Sequence, residues 1–247
     1  MRLFSRPKPA HLIEYQETEL YHTASFVNPD LDRELSRNFA HYFCGEHEIA
    51  GADCPNCQKP LLRFLTLDTS DERVGLTKLG GRKIHCLFCW TCGIAQEPFS
   101  YQHHDDGSVS LIEYGDGEPE TDFPYEDYPI AFPGASVSLL AISSEAQKSI
   151  HSVNAGRTQI TSWREKYPDI FGCKHQVGGE PFLIQQNPDY EKERDVRCPE
   201  CKKRMPFLAA IADDCLDERG FTENEGVQVL FHLCSACFIF FAFQQCD

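Results

Sequence analysis

Positive charge is scarce in this chain: 23 Lys and Arg stand against 38 Asp and Glu, a formal net charge of −15. So acidic a surface repels phosphate backbones, which proteins ordinarily hold with clustered Lys and Arg. Nucleic acid is therefore a poor candidate partner, and a basic protein is a better one. Long apolar runs are scarce too. The opening "MRLFSRPKPAHLIEY" has bases but no apolar stretch behind them, so no secretory signal is expected. The one segment to weigh as a membrane span, "VQVLFHLCSACFIFFAF" at 227–243, is barely long enough and is broken by Gln228, His232, Ser235 and two cysteines. Its β-branched and aromatic content suits a pair of buried strands. A cytoplasmic protein without a membrane segment is the expectation.

Familiar catalytic signatures are missing as well. There is no Gly-rich phosphate loop of the P-loop or dinucleotide type, no G-x-S-x-G and no H-E-x-x-H. What the chain has instead is cysteine, 13 residues in 247. Where thiols stay reduced, C-x-x-C pairs point to metal or redox chemistry rather than to disulfides.

A repeat sorts these cysteines. "CPNCQKPLLRFLTLD" (54–68) matches "CPECKKRMPFLAAIADD" (198–214), with Phe64-Leu65 set against Phe207-Leu208. "LFCWTCGIAQEPFSYQ" (87–102) matches "HLCSACFIFFAFQQ" (232–245), each closing on an aromatic-Gln pair. Cys54 and Cys57 map to Cys198 and Cys201 at a shift of 144, and Cys89 and Cys92 map to Cys234 and Cys237 at a shift of 145. The chain reads as an internal duplication: a first half over 1–113, an acidic linker over 114–129 and a second half over 130–247.

The expected class is α+β, mainly antiparallel sheet. "PFSYQHHDDGSVSLIEY" reads as a hairpin turning at Asp105-Asp106-Gly107-Ser108. A helix is expected over 28–45, from Asp30 as N-cap, through Leu31, Leu35, Phe39 and Tyr42, to a stop at Gly45. Ser144 with Gln147, and Ser162 with Glu165, have the spacing of capping boxes, the second helix ending before Pro168.

Two C-x-x-C…C-x-x-C sets predict two zinc-ribbon-like sites. One is Cys54, Cys57, Cys89 and Cys92, the other Cys198, Cys201, Cys234 and Cys237. Each would hold a structural Zn2+, because four protein sulfurs leave no open position for water or substrate. Lys59 and Lys202 are placed to offset the excess negative charge. "CLFCWTC" also has the three-residue spacing of an iron–sulfur run through Cys86. But Cys86 matches Phe231, and the fourth Cys-Pro of such a run is missing from "GIAQEP", so Cys86 is expected to be a spare thiol facing the core. Cys44 with His47 is a weaker ligand pair, and "HHDD" at 103–106 suits a turn better than a catalytic group.

"HQVGGEPFLIQQNPDYEKERDVRCPECKKRMPFLAAIADD", closing with "GVQVLFHLCSAC", places Gly178-Gly179-x-Pro181 and Ile184-Gln185 before the cysteine turn. Over about residues 175–245 this resembles the YwqG-like family of bacterial proteins. It is more remotely similar to the programmed cell death protein 2 family. The latter resemblance implies a chaperone role toward a small-subunit ribosomal protein, and some YwqG-like proteins are suspected of neutralising toxins. An acidic binder suits either, since such clients are often basic. The expectation is a zinc-stabilised cytosolic protein-binding module, a chaperone or immunity-like inhibitor for a basic client. Exposed sheet edges and the acidic loop 116–127 are the expected contact features. The alternative is an enzyme with its site between the halves, using His103, His104 and Asp105, or His175.

Overall fold

The computed structural model describes residues 22–26, 39–90, 99–114, 130–141, 144–166, 175–184, 195–212 and 227–246. Among them, eleven strands form one antiparallel sheet: β1 (His22–Phe26), β2 (Tyr42–Phe43), β3 (Leu62–Asp68), β4 (Lys83–Phe88), β5 (Phe99–His103), β6 (Val109–Glu113), β7 (Ala135–Ala141), β8 (Gln176–Val177), β9 (Phe207–Ala212), β10 (Val227–Cys234) and β11 (Ile239–Cys246). Their order is β4-β3-β2-β7-β1-β8-β9-β10-β11-β5-β6. Two helices, α1 (Ser144–Asn154) and α2 (Ile160–Lys166), accompany it.

The order encodes the duplication as a pseudo-two-fold. From the central pair β7–β1, the strands outward are β2, β3, β4 on one side and β8, β9, β10 on the other. Ala135 lies opposite Phe43, as His22 lies opposite Val177, and Ser25 faces Ser138 at the centre. The outer registers repeat too: Tyr42↔Thr66↔His85 in one copy is Gln176↔Ala210↔Leu230 in the other. Both copies carry a β-bulge at the same place, between Arg63 and Leu65 in one and between Phe231 and His232 in the other. The repeat boundary therefore does not separate two bodies, since strands from both halves pair with each other.

The register corrects the sequence alignment by one residue. Cys44 N–H donates to Phe64 O (3.0 Å) and Gly178 N–H to Leu208 O (2.7 Å), so Phe64 matches Leu208 and the two Phe-Leu dipeptides are not equivalent. It supports the other assignment: Cys86 pairs with Leu65 as Phe231 pairs with Ala209. The copies diverge after the second cysteine turn. β11 folds back on β10, whereas β5 pairs with β11 and β6 at the far end of the sheet.

The sheet curls until β4 meets β5. Tyr101 hydroxyl donates to His85 O (2.9 Å) and accepts from Leu87 N–H (2.8 Å), while His103 Nε2 donates to His85 O (3.0 Å). Two side chains thus satisfy the outer backbone groups of an edge strand, which would otherwise invite pairing with another chain. At the other edge, Val109 N–H of β6 donates to Ala50 O (2.9 Å). Part of each edge expected to recruit a partner strand is therefore occupied from within the chain; residues 116–127 lie outside the described residues. The concave face holds the main core, in which Phe64 meets Phe88, Trp90, Phe132 and Phe231.

The helix expected over 28–45 is overturned where it is described. Tyr42-Phe43 is strand, pairing with β3 and β7, and Cys44 and Gly45 both take positive φ (50° and 83°), which no helix tolerates. The helical spacing arose by chance from aromatics that serve a strand. The part over 28–38 lies outside the described residues. The hairpin at 105–108, the strand pair over 227–246 and the helix from Ser144 are present as expected; α2 begins two residues before Ser162.

Candidate metal centres

Each cluster is built from tight turns whose backbones repeat. Gln58 N–H donates to Cys54 O (2.8 Å), Lys202 N–H to Cys198 O (3.0 Å) and Phe238 N–H to Cys234 O (2.7 Å). Gln58, Lys202 and Phe238 all sit in the left-handed region, at φ 58°, 58° and 57°. The first turns are closed below as well: Leu61 N–H to Ala52 O and Met205 N–H to Val196 O, both 2.7 Å. Such a loop exposes its N–H groups on one side, toward the sulfurs, which is why C-x-x-C can carry thiolates at all.

The turns bring the sulfurs together. Cys198, Cys201, Cys234 and Cys237 place their Sγ atoms within 4.8 Å of one another, and so do Cys54, Cys57 and Cys89. Cys92 lies outside the described residues. Cys57 Sγ stands 3.7 Å from Cys89 Sγ, and its counterpart Cys201 Sγ stands 3.6 Å from Cys234 Sγ. Disulfide sulfurs bond at about 2.05 Å, whereas thiolates at about 2.3 Å from a tetrahedral ion lie about 3.8 Å apart. The observed spacing is that of ligands around one metal ion. Both clusters suit metal ions.

Their electrostatics fit the same use. Cys54 titrates low, at about 5, first because Cys89 hydrogen-bonds its sulfur, against a smaller opposing effect of burial. Cys201 titrates at about 7, first because of the Lys203 backbone N–H. Burial pushes Cys237 up to about 12, assisted by Cys201 and Cys198, and raises Cys234 as well. Each cluster thus has one sulfur that gives up its proton readily, and in the second the protons that burial keeps on Cys234 and Cys237 are ones a metal ion would displace. Lys202 Nζ donates to Pro199 O (2.5 Å), and the cause that lowers Cys201 most is the Lys203 backbone N–H, not a lysine ammonium.

The remaining candidates stand apart. Cys86 is fully buried, its thiol raised by desolvation, and it belongs to the main core, not to a cluster. Cys44 is likewise buried, and burial raises it. His47 accepts Ile49 N–H at Nδ1 and donates from Nε2 to Leu61 O, which pins the cysteine loop rather than a metal. His103 is held by His85 O, and burial lowers it to about 4. His104 bonds Ser110 at the hairpin tip, and Asp105 pairs with Arg82 (2.7 Å). His175 adjoins β8 and packs on Phe43, with three strands between β8 and β5 in the sheet. The two histidine groups are not brought to one site.

No helix among the described residues is long and apolar enough to cross a membrane. No protein-family model matches the chain, and neither the curated proteins nor the solved structures returned a match.

Proposed function

We propose that the chain is a protein-binding module whose two all-cysteine clusters each hold a structural Zn2+ in a ribbon-like turn pair, and whose client is a basic protein. The observation that carries this reading is the closed construction of the second cluster. Four sulfurs within 4.8 Å of one another would fill the coordination of one tetrahedral ion and leave no position for substrate. The metal then belongs to the fold, and activity must reside in the surface. That surface carries a formal charge of −15, which favours basic partners and speeds their approach. The resemblance of residues 175–245 to the YwqG-like family, and remotely to the programmed cell death protein 2 family, is compatible with a chaperone or immunity-like role.

Affinity capture from the native host at low salt tests it. The expected result is one basic protein in stoichiometric amount, released as salt rises from about 0.05 to 0.5 M, because screening shortens the reach of surface charge. Capture of nothing, or of an acidic protein indifferent to salt, would overturn the proposal.

A further inference from the structure

The two copies differ most on the face of the sheet turned away from the main core. In the second copy this face is apolar and covered. Leu183 packs on Phe207, Ala210 and Leu230, and no side chain of that set reaches solvent appreciably. The cover is the chain that follows Gly178-Gly179, and two glutamines tie it down. Phe182 N–H donates to Gln176 Oε1 (2.9 Å), and Gln228 Nε2 donates to Phe182 O (2.9 Å). Asn154, at the end of α1, holds it from above through Pro181 O (2.8 Å) and Leu183 N–H (3.1 Å).

Among the described residues, the first copy has no such cover. Its counterpart of Gly178-Gly179 is Cys44-Gly45, since both pairs take positive φ and both donate to the matching bulge residue. From Gly178 to Cys198 is 20 residues, but from Cys44 to Cys54 only 10. The positions beneath have changed with it. By register, Phe207, Ala210 and Leu230 become Arg63, Thr66 and His85, and the two glutamines become Tyr42 and Lys83. A cavity of about 850 Å³ lies over these residues, walled on its other side by Phe132-Pro133-Gly134. Room of that size is ordinary for a bound ligand.

Its charge runs against that of the protein. Glu46 is the one carboxylate among the lining residues, against Arg63 and Lys83. Neither cation has an ion-pair partner among the described residues, and Arg63 is fixed by its Nε bond to Cys44 O (2.9 Å). Burial first, then the positive charges of His103, Arg63, His47 and Lys83, keep His85 neutral down to about pH 3.

The geometry points to this cavity as a site for an extended peptide bearing an acidic side chain, seated where the second copy seats its own residues 178–184. The covered copy supplies the shape of the occupant, a short extended segment. The open copy supplies its charge, because Arg63 stands at the place of Phe207 beneath Leu183, and Lys83 at the place of Gln228 beside it.

Calorimetric titration of the metal-loaded full chain tests this with two end-capped seven-residue peptides. One copies residues 178–184 with glutamine in place of Glu180, and the other has the same change together with glutamate in place of Leu183. The acidic peptide is expected to bind at least about tenfold more tightly, and Lys83→Gln to weaken it about tenfold, the effect of losing one charge-assisted bond. Lys83 is exposed, and glutamine is the residue of the covered copy at that place (Gln228), so this variant keeps the fold, as a melt would verify. Arg63→Gln should weaken binding similarly. Equal affinity for the two peptides, no heat from either at millimolar concentration, or undiminished binding to Lys83→Gln would overturn the inference.

Discussion

Serine in place of one cysteine at a time should separate ligand from bystander. Cys201→Ser, Cys89→Ser and Cys54→Ser each remove a sulfur from a cluster, whereas Cys86→Ser removes one only from the core. Native protein is expected to carry two ions, the three cluster variants one, and Cys86→Ser two. The energetic stakes are large, since a structural zinc contributes an apparent ~10–16 kcal/mol and a whole domain is stable by only ~5–15 kcal/mol. The extent of collapse should differ between clusters. Cys198 and Cys234 belong to a small satellite core with Met205 and Ile239, while Cys54 and Cys89 belong to the main core with Phe64, Trp90 and Tyr101. The first cysteine loop is also stitched to β6 through Ala50. Cys54→Ser should therefore abolish the cooperative melt reported by Trp90, with Trp163→Phe as background. Cys201→Ser should loosen the region around 195–206 while Trp90 stays buried. Elemental analysis counts the ions, and near-UV circular dichroism follows the melt. If Cys86→Ser loses an ion, or Cys201→Ser keeps both, the ligand assignment is wrong. A strong chelator should reproduce the cluster variants, and a melt unaltered by it would count equally against the metal reading.

Three further outcomes follow from the geometry. Gly51 lies at φ 77°, and a Cβ there would stand 2.1 Å from Val109 O, so Gly51→Ala should cost about 2 kcal/mol or more in a denaturant titration. Gln58 and Lys202 occupy left-handed turns that glycine adopts without strain; Gln58→Gly or Lys202→Gly should leave metal content unchanged and shift stability by no more than about 1 kcal/mol, in the favourable direction. His103 is held near 4, first by burial, against 6.5 for an ordinary histidine. Its contribution is whole above pH 6.5 and declines as pH falls toward 4, because the unfolded chain then binds a proton that the folded one refuses. His103→Gln should flatten the stability profile between those values by about 3 kcal/mol relative to the native chain, and parallel profiles would refute that assignment.

How much of this was legible in the sequence depends on the range of each interaction. The cysteine turns are local, and the shift of 144 carried them whole: the bonds from Cys54 to Lys59 and from Cys198 to Lys203 (2.8 and 2.9 Å) are the same bond twice. Cys86 was read correctly for a related reason, since its match to Phe231 survives in the register. The helix over 28–45 failed where Tyr42-Phe43 lies between β3 and β7, because partners 22–24 and 92–94 residues away decide what two aromatics do. The stitching of β4 by Tyr101 and His103 left no sequence signal at all, since both residues read as ordinary members of a hairpin.

The missing cover was visible in principle. The cysteines repeat at a shift of 144, but the turn at Cys44-Gly45 repeats at 134 in Gly178-Gly179, and the ten-residue difference is the absent segment. A helical reading of 28–45 runs across the first of those turns and hides it, because the Cys44-Gly45 bend carries no Gly-Gly-x-Pro signature. A deletion that exposed an apolar face would be costly, at about 25 cal/mol for each Å² returned to water. Arg63, Thr66, His85, Tyr42 and Lys83 are the changes that make such exposure tolerable. Solubility alone, however, requires only polar residues of any charge. On a chain with 38 acids and 23 bases, two cations on one cavity wall and an arginine fixed by a backbone carbonyl impose a stricter condition, and an acidic ligand meets it.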